Sequence, residues 1–190
     1  MRDETDHCGY LLLQPPGPTD LSSEHAAWLQ SVLPPGGSSS PGAWQEVYRA
    51  RTHGFGARAF HERCDGRARL LVLVRAREGG WLFGGFTAVG FSPPQRYIAD
   101  PSAFLFSLTN SLGRPEKLEF SLAGGSIYYD PSRSAVFRVG LSICGNADRK
   151  ADSYTHTGWA YVESASTGAH PMARGKHEDW FTTEVVAWVV

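Results

Sequence analysis

Apolar residues after Trp44 recur in short runs or in alternation with polar ones, the pattern typical of β-strands. Two runs, Leu70–Val74 and Trp81–Thr87, are separated by the turn residues Glu78-Gly79-Gly80 and predict a central antiparallel hairpin. Loose alternation over Trp44–Arg51 predicts an earlier strand with one face in water. Further strands are predicted at Phe104–Leu108, Leu118–Leu122, Ser126–Tyr129, Ala135–Ile143, Gly158–Glu163 and Thr183–Val190.

Two segments carry helical signals instead. Residues 23–33 form an apolar stripe at helical spacing, preceded by a serine N-cap and ended by Pro34-Pro35, which disfavour helix. A second, shorter helix is predicted over Gly56–Cys64, and Asp65-Gly66 ends it because glycine adopts the left-handed C-terminal conformation at no steric cost.

These elements divide the chain into three parts. Residues 1–20 hold prolines without periodicity and are predicted to be a flexible tail. Residues 21–43 form the first helix and a flexible linker rich in Pro, Gly and Ser. Residues 44–190 form one domain of the α+β class, mainly β, most simply a sandwich with short helices.

Composition narrows the classes of partner. Lys and Arg number 18 against 19 Asp and Glu, which does not provide the basic footprint of a nucleic-acid-binding protein. The early apolar run Leu11–Leu13 is too short for a signal sequence or a membrane span. Three cysteines far apart in sequence, Cys8, Cys64 and Cys144, indicate free thiols in a reducing compartment. We therefore expect a cytoplasmic protein without membrane insertion.

The strongest candidate for chemistry is the pair His61 and Cys64, three residues apart on the second predicted helix. An imidazole there would lower the thiol pKa and create a redox-active nucleophile. The alternative is that Cys64 packs inward as a small apolar residue, as buried free cysteine usually does. No local spacing of His and Cys predicts a metal site.

Other motifs are interpreted as structural. Residues 54–59 contain a G-x-G-x-x-A pattern, but the hairpins that follow do not fit a dinucleotide-binding fold, so no cofactor is predicted. No nucleophile elbow of a serine hydrolase is present, and a hydrolase pocket built from distant residues stays an open alternative. Asp100 and Asp130, each before a proline, are predicted turn residues. Alternation places Glu184 on the wet face of its strand.

Several of these signatures, in this order, resemble the TLDc domain of oxidation-resistance proteins. The residues that carry the resemblance are AWQEVYRAR at 43–51, Gly54-Phe55, Phe60-His61, Cys64-Asp65-Gly66, Leu70–Val74, Phe83–Thr87 and Asp100–Leu108. The resemblance implies a two-sheet antiparallel β-sandwich flanked by short helices. Residues 134–143 lack the glycine-rich stretch with His and Asp that is typical of the family.

For function, the resemblance implies protection from oxidative damage without recognisable catalytic machinery. In several members it also implies binding to peripheral subunits of the vacuolar proton-pumping ATPase, at the surface of endomembranes. We therefore expect a non-enzymatic protein-binding module with contacts in exposed loops at Gly84 and Gly85 and at Ser107, Leu108, Thr109 and Asn110. A thiol-dependent redox protein using Cys64 and His61 is the second hypothesis.

Overall fold

The computed structural model of the chain describes residues 20–77, 79–110, 113–119, 127–138, 140–155 and 179–190. The helices in these residues are α1 (Ser23–Val32), a 3₁₀ helix (Pro41–Ala43), α2 (Ala50–His53) and α3 (Ala57–Cys64). The strands are β1 (Gln45–Arg49), β2 (Leu70–Ala76), β3 (Leu82–Thr87), β4 (Tyr97–Ile98), β5 (Phe104–Ser107), β6 (Glu116–Glu119), β7 (Ile127–Tyr128), β8 (Arg133–Phe137), β9 (Leu141–Cys144), β10 (Ser153–Thr155), β11 (Asp179–Trp180) and β12 (Thr182–Val189).

The described strands form two antiparallel sheets. The first sheet has the order β1-β12-β2-β3-β5-β6, and the second has the order β11-β10-β9-β8-β7-β4. The predicted hairpin is confirmed, since β2 and β3 pair along their length at the middle of the first sheet. The mainly-β sandwich with short flanking helices is confirmed as well.

The space between the sheets is filled by large apolar side chains from both. Val72 and Phe83 of the first sheet share this core with Phe137 and Leu141 of the second. Gly85 of the first sheet faces the Phe137 ring of the second sheet. A Cβ atom added at Gly85 would stand 2.6 Å from that ring, so the position has room for hydrogen only.

The outer face of the first sheet is also buried. Leu71 and Leu73, which alternate with the inward residues of β2, form a second core with Leu29 of α1 and with Trp44 and Trp188. A strand covered on both faces needs apolar residues at every position. This double burial explains why Leu70–Val74 is a continuous apolar run rather than an alternating one.

The predicted helix ends agree with the structure. The Ser22 side chain accepts a hydrogen bond from the backbone N–H of His25 at 3.1 Å and caps α1. The helix ends at Val32, just before the two prolines. Gly66, after α3, has a φ of 72°, the left-handed conformation expected of it.

Two predicted strands are wrong in extent. The expected strand Ala135–Ile143 is a hairpin of β8 and β9, and its turn is closed by the N–H of Gly140 donating to the Phe137 carbonyl at 2.9 Å. In the sequence, apolar residues continue at alternate positions through the turn, at Phe137, Val139 and Leu141, and so give no sign of it. The strand expected over Trp44–Arg51 stops at Arg49, where α2 begins.

Some predictions lie outside the described residues. These are the tail over residues 1–19, the strand Gly158–Glu163 and the ends of two other predicted strands, residues 120–122 and Ser126. The described parts of those two strands are β6, which begins earlier than expected, and β7. The sequence patterns gave no prediction of β4, β10, β11 or α2.

The segment expected to be a flexible linker is held by side chains. The Arg69 guanidinium donates to the carbonyls of Pro34 at 2.8 Å, Pro35 at 3.2 Å and Val190 at 2.8 Å. The Gln30 amide donates to the Ser38 carbonyl at 2.9 Å. These bonds attach the connection after α1 to the end of the first sheet.

We predict that Gly85→Ala destabilises the protein by about 1–3 kcal/mol, because the added methyl group overpacks against the Phe137 ring in a filled core. The free energy of unfolding, measured by urea denaturation, checks the expected loss.

Gly56→Ala is the matched control. Gly56 has an ordinary φ of −69°, and a Cβ atom added there would meet nothing within 4 Å. Its unfolding free energy should stay within about 1 kcal/mol of the wild type. Equal stability of the two variants would contradict the close sheet contact.

Candidate functional site

α3 places His61 and Cys64 against the sandwich. Its buried residues Ala57, Phe60, His61 and Cys64 recur at intervals of three, one and three, so they share one helical face. This face packs on β8 and β1. The two candidate residues are therefore part of the interior and not of an open cleft.

His61 connects α3 to the turn between β7 and β8. Its Nδ1 lies 2.7 Å from the Asp65 carboxylate, and its Nε2 lies 3.0 Å from the Asp130 carbonyl and 2.8 Å from the Arg133 carbonyl. Nε2 faces two acceptors and must carry a proton to donate to them. That nitrogen is not available as a general base, and the hydrogen bonds of His61 hold α3 against the turn before β8.

Tyr129 also lies beside this site, with its ring 4.8 Å from the His61 ring, centroid to centroid. Burial and the Asp65 charge raise the pKa of Tyr129. Asp65 is the residue that sequence analysis missed, because His61 was paired with Cys64 instead. The signal was present: His61 and Asp65 are four residues apart, the spacing at which helical side chains meet.

Cys64 is fully buried, with an exposed fraction of 0%. Burial raises the pKa of its thiol to about 12, and the nearby Asp65 charge adds to that effect. At neutral pH only about 10⁻⁵ of such a thiol is ionised. The interpretation of Cys64 as a packed apolar residue agrees with this geometry, and the activated His61–Cys64 pair does not.

Asp100 and Asp130 form the same local structure. Each begins an Asp-Pro-Ser turn in which the carboxylate accepts from the N–H and the hydroxyl of the serine two residues on, Ser102 or Ser132, at 2.6–3.0 Å. The backbone closes both turns, with N–H to carbonyl distances of 3.2 and 3.1 Å. Aspartate first and proline second are the preferred residues of a type I turn. The prediction of turn residues agrees with the structure at both sites.

Asp100 has further partners in the core. Its second carboxylate oxygen accepts from the Thr87 hydroxyl and from the Ala88 N–H, both at 2.7 Å. Burial alone would raise the pKa of this carboxyl, but the hydrogen bonds from Ser102, Thr87 and Ala88 outweigh it and lower the pKa. Asp100 thereby fastens the end of β3 to the start of β5.

The prediction that Glu184 lies on a wet face is wrong. Its side chain is 6% exposed and accepts from the N–H of Arg51 at 3.1 Å and of Val185 at 3.0 Å. The Arg49 guanidinium lies 3.6 Å away and supplies the compensating charge. The register of β12 shifts between Thr182 and Glu184, so simple alternation does not predict which residues are buried there.

The expectation of an exposed loop at Gly84 and Gly85 is also wrong. Both glycines lie inside β3, and both are buried. Gly84 faces the outer side, where an added Cβ atom would stand 2.8 Å from the Phe106 ring. Gly85 faces the second sheet. Their small size serves the packing of the sandwich.

The second expected contact region lies at the end of β5. Ser107 and Leu108 are buried, at 0% and 2% exposure, whereas Thr109 and Asn110 are half-buried. The Thr109 hydroxyl accepts from the N–H of Leu82 at 2.7 Å and so fixes the start of β3. Surface contact from this region is therefore restricted to Thr109, Asn110 and their neighbours.

Asn110 organises the turn that follows. Its side-chain amide donates to the Arg114 carbonyl at 2.9 Å and to the Ser107 hydroxyl at 3.3 Å. The Arg114 side chain is 66% exposed and pairs with Glu116 at 3.1 Å. The Asn110 amide therefore joins the end of β5 to the residues just before β6, and Arg114 presents its guanidinium to solvent.

The glycine motif of residues 54–59 joins two helices and not a strand to a helix. Gly54 ends α2, and Gly56 precedes α3. The Phe55 carbonyl accepts from the N–H of Asn146 at 2.8 Å, which packs the motif against the end of β9. Among the described residues, no three His, Cys, Asp or Glu side chains form a metal-binding cluster. The helices described here include none that is long and apolar enough to cross a membrane.

Comparison with protein families gives one match relevant to this fold. The model of the TLDc domain matches residues 19–129, more than half of the chain. The matched span runs from just before α1 to the end of β7, and so includes His61, Cys64, Asp100 and the β5–β6 loop. No sequence among the curated proteins matches the chain.

We predict that Asp100→Asn lowers stability by about 1–3 kcal/mol at neutral pH, because the new amide group turns a donor toward Thr87 and Ala88. Because the pKa of Asp100 is lowered in the folded state, its carboxylate contributes fully to the free energy of unfolding above the unfolded-state pKa of about 4. This contribution is lost as the pH falls through the folded-state pKa. Urea unfolding measured from neutral to acidic pH should show the gap between variant and wild type closing below about pH 4.

Asp152→Asn is the control, because the side chain of Asp152 is exposed. It should follow the wild type within about 0.5 kcal/mol at every pH. A gap for Asp100→Asn that stayed constant with pH would contradict the role of the carboxylate.

We also predict that native Cys64 resists alkylation by N-ethylmaleimide at neutral pH and reacts fully in guanidinium chloride. Peptide mapping by mass spectrometry separates Cys64 from the other cysteines. An Ala68→Cys variant provides an exposed thiol as a positive control, since Ala68 lies on the surface. Labelling of Cys64 as fast as that of the introduced surface thiol would show that Cys64 is accessible and reactive.

Proposed function

Because the chain belongs to the TLDc family, we propose that it is a non-enzymatic interaction module in oxidative-stress protection. Its partner in this proposal is the cytosolic sector of the vacuolar proton-pumping ATPase. The protein would work in the cytoplasm and reach endomembrane surfaces only through that partner.

The observation that carries the proposal is that the residues considered as candidates for chemistry have structural roles in the fold. His61 donates from Nε2 to two carbonyls, Cys64 is buried with a raised pKa, and Asp100 and Asp130 close turns. Each of these groups is already bonded or inaccessible. A surface that binds another protein is the function that such a fold can provide without them.

The β5–β6 loop supports a contact surface. Thr109 and Asn110 are half-buried, and the bonds from Asn110 to Ser107 and Arg114 join the described residues on the two sides of the loop. A side chain that is already held by hydrogen bonds loses less conformational entropy on binding. The exposed Arg114 guanidinium adds a charge that can pair with an acidic group of the partner.

The test is binding of the purified full chain to the purified cytosolic sector of the pump, measured by biolayer interferometry. We expect the wild type to bind and Phe83→Asp, which places a charge in the core, to lose binding together with the fold. Arg114→Glu should weaken binding by about tenfold, or 1.4 kcal/mol. The substitution removes the exposed ion pair with Glu116 but keeps the hydrogen bond from Asn110, which goes to the backbone of Arg114 and not to its side chain.

Arg58→Glu is the matched control, with the same charge change at a side chain on α3 that is 91% exposed. We expect its affinity to remain within about twofold of the wild type. Failure of the folded wild type to bind would overturn the pump as partner. Equal effects of Arg114→Glu and Arg58→Glu would overturn the loop as the contact.

A further inference from the structure

The outer edge of the second sheet has an unusual surface. Its last strand, β4, consists of Tyr97 and Ile98. Tyr97 is 59% exposed and is the one large hydrophobic side chain that stands out as exposed among the described residues. Tyrosine is among the residues most enriched at the energetic centres of protein interfaces.

The register shows where the backbone of this strand points. The N–H of Tyr129 donates to the Arg96 carbonyl at 3.0 Å, and Tyr97 pairs with Tyr128. Bonding direction alternates from residue to residue along an antiparallel strand. The backbone groups of Arg96 and Ile98 therefore face β7, whereas the N–H and carbonyl of Tyr97 face away from it, toward the side of β4 on which no described strand pairs.

The side chains around Tyr97 form an ordered platform. The Tyr128 ring lies 4.7 Å from the Tyr97 ring, centroid to centroid. The Arg138 guanidinium stands over the Tyr97 ring at 5.1 Å. Because both contacts restrict the ring, Tyr97 loses less rotamer freedom when a partner covers it.

The charged residues at this edge differ from those at the β6 edge of the first sheet. The outer strand there, β6, carries Glu116, Lys117 and Glu119, with an ion pair of 3.0 Å between Lys117 and Glu119. Charges of both signs at an edge discourage the addition of another strand. At β4, two cationic side chains lie beside Tyr97 among the described residues: the exposed Arg96, next to it in the chain, and the half-buried Arg138, over its ring.

We propose that the β4 edge binds an extended, acidic segment of a partner protein as an added strand. The backbone of Tyr97 supplies one donor and one acceptor to the segment. Alternate side chains of the segment cover the Tyr97 and Tyr128 rings, and its carboxylates pair with the exposed Arg96. This surface is distinct from the β5–β6 loop and does not require the proton pump as the partner.

The test starts from selection of random 12-residue peptides, displayed on phage, against the immobilised full chain. Selected peptides are then synthesised with a fluorescent label, and their affinities are measured by fluorescence polarisation. We expect enrichment of Asp and Glu among them. N-methylation of the peptide backbone at alternate positions should abolish binding in one register and spare it in the other, as strand addition requires.

Protein variants locate the site. Tyr97→Ser removes an exposed ring, and we expect it to weaken binding of the acidic peptides by about tenfold or more. We expect Arg96→Glu to weaken this binding by about tenfold as well. Arg58→Glu, the same charge change on α3, should leave affinity within about twofold. Near-ultraviolet circular dichroism verifies that each variant keeps the native packing.

Three results would overturn the proposal. The first is the absence of Asp and Glu enrichment among the selected peptides, and the second is unchanged peptide affinity in Tyr97→Ser. The third is that a single-stranded oligothymidine binds more tightly than any peptide and that Tyr97→Ser loses this oligothymidine binding. The last result would assign the platform to nucleic acid, whose bases also stack on exposed aromatic rings. Binding to the pump, which depends on Arg114 in the earlier experiment, is read out separately.

Discussion

Phe137 of the second sheet occupies the space in which a side chain at residue 85 of the first sheet would otherwise lie, so the two sheets pack directly on each other there. Val72, Phe83 and Leu141 belong to the same core between the sheets as Phe137. Packing of this kind tolerates neither an added methyl group nor a gap. Gly85 is therefore a structural requirement of the sandwich.

The polar side chains of the domain serve the same architecture. His61 bonds to the turn before β8, and Asp100 bonds to both ends of the connection between β3 and β5. Glu184 satisfies two backbone N–H groups at the bend between β1 and α2 and in β12. Buried polar groups of this kind must be bonded, and these bonds connect one element of the fold to another.

Much of the fold could be predicted from the sequence because its signals are local. Each of three local features determines the boundary of an element within a few residues. These are Ser22 before an apolar stripe, Gly66 after a helix, and the turn between two apolar runs. The two Asp-Pro-Ser turns belong to the same class. Such features need no knowledge of distant parts of the chain.

The errors arose where distant residues decide the outcome. Glu184 is buried because Arg49 and Arg51, more than 130 residues earlier in the chain, supply its partners. Gly84 and Gly85 were expected as exposed contact sites although they lie in the predicted strand Trp81–Thr87, and Phe106 and Phe137 pack against them. The Tyr97 platform depends on Tyr128 and Arg138 meeting it across two strands. Local pattern contains no information about these pairings.

The central claim is that the protein acts through its surface and not through thiol chemistry. The most direct measurement is survival of peroxide-treated cells that lack the protein and express either the wild type or a variant with all three cysteines replaced, Cys8→Ser, Cys64→Ala and Cys144→Ala. The two proteins must be present at equal levels and equally folded. Our account predicts equal protection by the variant and the wild type, whereas loss of protection in the folded variant would contradict it.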